Sequence, residues 1–255
     1  MQILNAAPLA EMEMVDTPLT RFPSGPNNSL WARTTWSSTG IVKETLASNL
    51  FLGTITLRIR EAICGTFVTG ADLDSVWGFS NSTSRAFQTT RTRFASFLRM
   101  DGAWYLDRVA PLAIAAPNGA SVSISAVRLY PASNLTVPML TLSNDSLSNL
   151  MATNSLPRVD NFQWIRVEVD ATGAAANVFA HHNGTRSPLF DDGSNGDRVA
   201  GDHTYSTSIY IGGATWKHLQ FDAIDRTSIT DPATPVVATV WDVLLTARYA
   251  TDVYE

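Results

Sequence analysis

Short segments in which apolar and polar residues alternate recur along the chain, and they constrain its fold more than any other feature. Ile55, Leu57 and Ile59 alternate with threonine and arginine, and Ile165 and Val167 begin a second segment of the same kind. Because neighbouring side chains of a strand point to opposite faces of a sheet, this period of two predicts strands with one buried face. Further strands are expected at 121–130, 176–180, 207–211, 217–223 and 236–247, the last as a central strand.

Other local features interrupt the strand pattern. A one-residue slip in the alternation at Ala126 and Val127 predicts a β-bulge. Phenylalanines near helical spacing predict a helix over 84–100, and a short helix is expected at 5–14. Residues 145–152 are expected to form one or two helical turns, with Asp145 or Ser146 as the cap.

The predicted fold class is all-β, because strands spaced about 8–12 residues apart are typical of β-sandwiches. Four prolines interrupt the first 50 residues, which are expected to form an irregular, extended arm. A β-rich domain is expected at 51–157 and a β-sandwich domain at 158–255. A proline-rich joint at 231–235 precedes the last strand, which either completes the second domain or pairs with the first.

Composition narrows the possible partners. Charged residues make up 16% of the chain, against about 25% in ordinary soluble domains, and a neutral polar surface suits extracellular modules and assembled subunits. The net charge is −5 and the only lysines are Lys43 and Lys217. Non-specific nucleic-acid binding needs clustered cations, which the sequence lacks, and direct sequence-specific nucleic-acid binding is not expected either. The sequence contains no run of 18 apolar residues, so no membrane span is expected.

The most specific motif lies between the strands predicted at 176–180 and 207–211. Residues 191–202 contain four Asp, one Asn and three Gly. Hard cations such as Ca²⁺ bind about six to eight oxygen ligands on a sharply turning backbone, and glycine permits the positive φ of such turns. The motif predicts a structural calcium ion that rigidifies the hairpin, with these candidate ligands: Asp191, Asp192, Asn195, Asp197 and Asp202.

The same residues have two other interpretations. The spacing partly follows an EF-hand, with Asp191 first and Asp202 twelfth, but Gly193 occupies the third position and the flanks are strand-like, so a true EF-hand is rejected. Asp, Asn and Gly are also the ordinary residues of tight turns, in which Asp and Asn side chains bond backbone amides. A metal-free pair of turns at 192–193 and 195–196 is the remaining alternative.

The run Asp-Asp-Gly-x-x-Gly-Asp-x-x-Ala-Gly-Asp-x-x-Tyr-Ser, residues 191–206, resembles a signature of immunoglobulin-like modules in prokaryotic surface and phage proteins. The resemblance covers residues 160–230 approximately and includes the flanking strands. It implies an immunoglobulin-like sandwich in the C-terminal part and a non-catalytic role. His203 stands where the family usually has glycine, which puts a left-handed backbone at that position in doubt. A shorter run at 20–25, Thr-Arg-Phe-Pro-Ser-Gly, is similar to the start of some tailed-phage structural proteins.

Catalytic signatures are weak, and an enzyme is not expected. The sequence has no Gly-x-Ser-x-Gly elbow, no glycine-rich phosphate loop and no pair of cysteines. His181 and His182 are adjacent, so in a strand they point to opposite faces, although either could approach the acidic loop in a mixed His/Asp metal site. Asp72 and Asp74, near Trp77, are the best carboxylate pair for glycoside hydrolysis or sugar binding. A polar turn before a core Trp is the other interpretation of that pair.

Two functions follow from these observations. The first is a non-enzymatic virion component, a capsid, decoration or tail protein that assembles with itself or with other virion subunits. Its basis is the start at Met1 without a signal peptide, the proline-rich arm, the low charge and the shortage of lysine. The second is a secreted or cell-surface immunoglobulin-like module for adhesion or carbohydrate binding, which predicts a signal peptide ahead of this sequence. The first is preferred, because immunoglobulin-like modules also occur on phage particles.

Overall fold

A computed structural model of the chain describes residues 3–4, 30–70, 72–74, 78–80, 82–115, 121–173, 176–183, 185–213 and 215–248. These residues are mostly β-strand, which confirms the all-β fold class. The described helices are short: α1 (Arg226–Thr230) and two 3-10 helices, Asn144–Ser148 and Thr153–Ser155. The described strands are β1 (Ile3–Leu4), β2 (Leu30–Asn49), β3 (Thr54–Gly70), β4 (Asp72–Asp74), β5 (Gly78–Ser80), β6 (Thr83–Met100), β7 (Ala103–Val109), β8 (Leu112–Ala115), β9 (Ser123–Pro131), β10 (Leu140–Ser143), β11 (Met151–Ala152), β12 (Arg158–Asp160), β13 (Gln163–Thr172), β14 (Ala176–His182), β15 (Thr185–Leu189), β16 (Thr204–Ile211), β17 (Thr215–Asp225) and β18 (Ala238–Arg248).

Two layers of four strands pack face to face as a β-sandwich. The outer sheet has the strand order β10-β9-β13-β16, and the middle layer is the β18-β17-β14-β15 part of a larger sheet. Ile165 and Val167 of β13 point into the core between the layers, as the alternation predicts, and Phe221 of β17 and Val243 of β18 belong to the same buried cluster. This apolar core fixes which side chains of β13 and β17 face outward.

The long strands β2, β3 and β6 cover the other face of the middle layer. Trp31 of β2 stacks on Phe67 of β3 with ring centroids 5.6 Å apart, and Phe179 of β14 meets Trp31 edge-on at 5.4 Å. Near the other end of these strands, Phe97 belongs to a buried cluster with Leu244 of β18. The middle layer is therefore buried on both faces.

Strand β8 joins the long strands and the middle layer into one hydrogen-bonded sheet. It pairs with β6 on one side and with β18 on the other. The last strand, β18, is central as predicted: it pairs with β17 of the predicted second domain and with β8 of the first. One hydrogen-bonded sheet therefore contains strands from both sides of the domain boundary expected near residue 157. The boundary itself stays a prediction.

Two expectations about the N-terminal half are wrong. The predicted helix over 84–100 is strand β6, because its phenylalanines lie at strand positions: Phe87 and Phe97 are buried on the face that β6 turns to the middle layer. The irregular conformation expected for residues 1–50 does not hold from Leu30 onward, where β2 pairs with β3 along its length. Residues 5–14 and 20–25 lie outside the described residues.

The predicted bulge is confirmed one residue earlier than expected. Asp170 of β13 pairs with Ala126, whereas Ala171 pairs with Ile124, so Ser125 is the extra residue of β9. The turn expected at 145–152 is the 3-10 helix Asn144–Ser148, but its cap is Ser143, whose amide donates to Ser146 Oγ at 3.1 Å.

Candidate functional site

The acidic loop, residues 190–203, connects β15 to β16 and lies on the outward face of the outer sheet. Gly196 contacts this face: a Cβ there would lie 3.4 Å from Arg166 Nε, and the φ of Gly196 is +96°. Both facts favour glycine at this position. Arg198 extends the attachment by donating to Leu135 O at 3.0 Å, in the connection between β9 and β10. The loop is thus held by contacts to β13 and to the connection between β9 and β10.

Three of the five predicted ligands come together. Asp191, Asp197 and Asp202 each have a carboxylate oxygen, and these oxygens all lie within 4.8 Å of one another. Asp192 is exposed and does not belong to this group of carboxylates, and Asn195 is exposed as well. Asp192 Oδ1 accepts from the amide of Ser194 at 2.9 Å, and Asn195 Nδ2 donates to Ser194 Oγ at 2.9 Å.

Backbone amides surround the grouped carboxylates. Asp191 Oδ1 accepts from the amides of Gly201 at 2.7 Å and Asp202 at 3.1 Å, and its Oδ2 accepts from His203 at 3.1 Å. Asp197, only 9% exposed, accepts from the amide of Gly193 at 2.6 Å. These are the hydrogen bonds that the metal-free interpretation requires, and the calcium ion stays a prediction.

The backbone is left-handed at two non-glycine positions of the loop. The φ of Asn195 is +53° and that of His203 is +67°. The doubt raised by histidine at position 203 was therefore misplaced. Asn and His tolerate this conformation better than most residues, and the hydrogen bond from the His203 amide to Asp191 helps to hold it.

Buried charges lie beneath the loop. Arg166 and Glu168 of β13 are 7% and 6% exposed although they point away from the sandwich core, and they form an ion pair. Tyr130 Oη donates to Glu168 Oε2 at 2.6 Å, and the Arg166 guanidinium lies over the Tyr130 ring, 5.1 Å from its centroid. The loop thus covers an ion pair that would otherwise lie in water.

His181 and His182 point to opposite faces of β14, as predicted. His181 Nε2 lies 3.6 Å from Asp222 Oδ2, on the face turned to the long strands. His182 Nε2 lies 3.0 Å from Ser187 Oγ on the other side, and burial lowers its pKa to about 4. The two side chains therefore have separate surroundings. The side chains of Asp72 and Asp74, like Trp77, lie outside the described residues.

Two fully buried aspartates form an ionic layer between the middle layer and the long strands, which sequence reasoning missed. Asp222 pairs with Arg33 at 2.5 Å. Asp242 pairs with Arg93 at 2.9 Å and with His218 Nδ1 at 2.8 Å. Asp222 and His218 lie on the polar phase of the alternation in β17, and this face is covered by β2, β3 and β6.

Burial alone would raise the pKa of Asp222. The charge of Arg33 and the interactions with Arg33 and His181 outweigh it, and they hold the pKa of this carboxyl well below its usual range. Asp222 therefore stays ionised in the folded protein, and its ion pair locks β2 onto β17.

An exposed apolar surface lies at the turn between β2 and β3. Leu50 is 92% exposed, Phe51 97% and Leu52 60%. The neighbouring turn between β6 and β7 lies against it, since the Arg99 amide donates to Gly53 O at 2.7 Å, and it adds Met100, which is 45% exposed. We call these four residues the apex: Leu50, Phe51, Leu52 and Met100. Sequence reasoning missed the apex because it placed residues 1–50 in an irregular arm.

Three aromatic side chains are exposed on the outer sheet. Phe162 is 56% exposed, Trp164 58% and Tyr210 37%. Trp164 pairs directly with Tyr210 across β13 and β16, and their ring centroids lie 5.6 Å apart. We call these three residues the aromatic patch. A sequence signal existed: the inward positions of Ile165 and Val167 place Trp164 on the outward face.

Comparisons of the chain with protein-family models, curated proteins and solved structures found no match. Among the described residues, no helix is long and apolar enough to cross a membrane.

Proposed function

We propose that this chain is a non-enzymatic subunit of a self-assembling structure, and that the structure is a virion, in which the chain serves as a capsid, decoration or tail component. The observation that carries the proposal is the apex. Soluble monomers rarely expose contiguous apolar surface that has no partner, and Phe51 is 97% exposed between two exposed leucines.

The free energy of transfer out of water favours burial of the apex in a subunit contact. Moving a leucine or phenylalanine side chain from water into an apolar contact stabilises it by about 1.5–3 kcal/mol. The adjacent strand β2 adds further exposed apolar side chains, since Ile41, Val42 and Leu46 are 56%, 58% and 45% exposed. A subunit contact that covers both regions removes this cost.

Composition supports the same proposal. Assembled surfaces disfavour lysine and tolerate arginine, because the planar guanidinium is less strongly hydrated and forms forked hydrogen bonds. Lys43 and Lys217 are the only lysines in a chain with 18 basic residues. The low charged fraction reduces the number of ions that must lose water when subunits meet.

Electron microscopy of the concentrated protein tests the proposal. We expect regular closed particles, rings or filaments that disappear when Phe51→Ser is introduced, because the apex then carries a polar side chain at its centre. Particles of the same form in wild type and in Phe51→Ser would show that the apex is not part of the assembly contact. A field of single small molecules at all concentrations would contradict the proposal.

A second candidate is an immunoglobulin-like surface module for adhesion or carbohydrate binding. The aromatic patch favours it, because exposed aromatic rings beside hydrogen-bonding side chains are a common feature of binding surfaces. This candidate predicts a monomer in solution and saturable binding of a glycan or protein ligand that is lost in Trp164→Ser.

A further inference from the structure

We propose that the apex of one copy docks on the aromatic patch of a second copy, so that the chains associate head to tail. This inference rests on the proposed self-assembly and names its contact. Each surface is exposed and apolar, and each has no explanation within a single chain. One contact between copies accounts for both.

The geometry of the aromatic patch suits a convex apolar partner. The Trp164 and Tyr210 rings are tilted by 56°, and the Phe162 and Tyr210 rings by 39° with centroids 6.5 Å apart. Such rings do not form the flat platform on which a sugar ring stacks. They leave ring faces and edges at different angles, which a further aromatic ring meets in edge-to-face or offset contacts. Phe51, at the tip of a turn, is a ring of that kind.

The aromatic patch is held in place by the fold. Phe162 has a φ of +61°, which is rare for a bulky residue and costs free energy. Its amide donates to Ile211 O at 2.8 Å and to Asn161 Oδ1 at 3.0 Å. This strained backbone leaves the ring 56% exposed beside Tyr210. The left-handed turn between β12 and β13 thus presents the ring at the surface, where a partner can meet it.

The contact area predicts weak, repeated association. An aromatic side chain buries roughly 150–250 Å², so the apex and the partly exposed patch together bury on the order of 600–900 Å². Stable specific interfaces bury about 1,200 Å² or more. One contact is therefore expected to be weak and to be populated only at high protein concentration. Because the two surfaces differ, each chain has one free apex and one free patch, and head-to-tail contacts build rings or filaments in which they act together.

Mixing two variants tests the contact. Phe51→Ser removes the apex ring but keeps the patch, and Trp164→Ser weakens the patch but keeps the apex. In sedimentation velocity at the highest concentration used for wild type, each variant alone is expected to stay a monomer of 27.7 kDa. Their equimolar mixture is expected to form a dimer of twice that mass and nothing larger, because the contact between an intact apex and an intact patch forms only once.

Three results overturn the inference while leaving self-assembly intact. The first result is that one variant alone assembles as wild type does, which shows that the surface changed in that variant is not part of the contact. The second result is that the mixture stays monomeric although wild type assembles, which shows that both side chains are needed in the same chain and do not meet each other across the contact. The third result is that the aromatic patch binds a soluble glycan while assembly of the chain is unchanged, which shows that the patch has a different ligand. A wild-type chain that stays monomeric contradicts the proposed function itself.

A folding control separates loss of contact from loss of structure. Both substituted side chains are more than half exposed, so both variants are expected to keep the circular dichroism spectrum and the melting temperature of wild type within a few degrees. Ser208 lies on the same outward face of β16 as Tyr210 and is exposed. Ser208→Ala therefore serves as the matched surface change that leaves assembly unaltered.

Discussion

His218 Nδ1 lies 2.8 Å from Asp242 Oδ2, between two sheet layers, where Asp242 is fully buried and also pairs with Arg93. Asp242→Ala leaves the Arg93 charge buried without this carboxylate. We expect a loss of about 3–5 kcal/mol in the free energy of unfolding, measured by urea denaturation.

The control for this prediction is Asp107→Ala. Asp107 pairs with Arg108, but both side chains are well exposed, so the expected change is about 0.5 kcal/mol or less. Equal losses in the two variants would contradict the structural role given to the buried pair.

Stability is expected to fall in mildly acidic solution because of His182. Burial lowers its pKa from 6.5 to about 4, so between these values the unfolded chain binds a proton that the folded chain does not. The contribution is complete above about pH 6.5 and is lost as the pH falls toward 4, up to on the order of 3 kcal/mol. Melting temperatures of His182→Gln should depend less on pH in this window than those of wild type, and an unchanged pH dependence would contradict the role given to His182.

Asp191 holds the acidic loop through three backbone amides. Asp191→Ala leaves the amides of Gly201, Asp202 and His203 without this acceptor, and we expect a loss of about 1–3 kcal/mol. The exposed Asp192→Ala is expected to cost less. The loss should be the same in calcium and in chelator, because amide hydrogen bonds need no ion; a loss seen only in calcium would assign the ion predicted from the sequence.

Phe162→Asn is expected to raise stability while weakening association. Asparagine tolerates the left-handed backbone better than phenylalanine, so the substitution relieves up to about 1 kcal/mol of strain. It also removes one ring of the aromatic patch. A higher melting temperature together with a lower average mass in solution is the expected pair of results. A variant that is more stable and assembles unchanged would show that the ring is not part of the contact.

Local patterns were sufficient for the sandwich. Ile165 and Val167 are separated by single polar residues, and this alternation fixes both the strand and its inward face. The same reasoning located β18 as a central strand and a bulge in β9 one residue from its observed position, since each depends on neighbouring residues only.

Contacts between distant segments were beyond local patterns. Phe87, Phe94 and Phe97 lie near helical spacing in the sequence. Only the pairing of this segment with β3 shows that they lie in a strand. Asp222 lies on the polar phase of β17, and it is buried because Arg33, far away in sequence, covers it. Among the acidic loop residues, the motif located all five candidates, but the folding of the loop over Arg166 decided that Asp191, Asp197 and Asp202 come together.

Light scattering over a concentration series, with wild type and Phe51→Ser side by side, tests the central claim most directly. The account predicts that the wild-type mass rises above 27.7 kDa with concentration, while the variant stays at the mass of a single chain. A wild-type mass that remains at one chain throughout the series would contradict it.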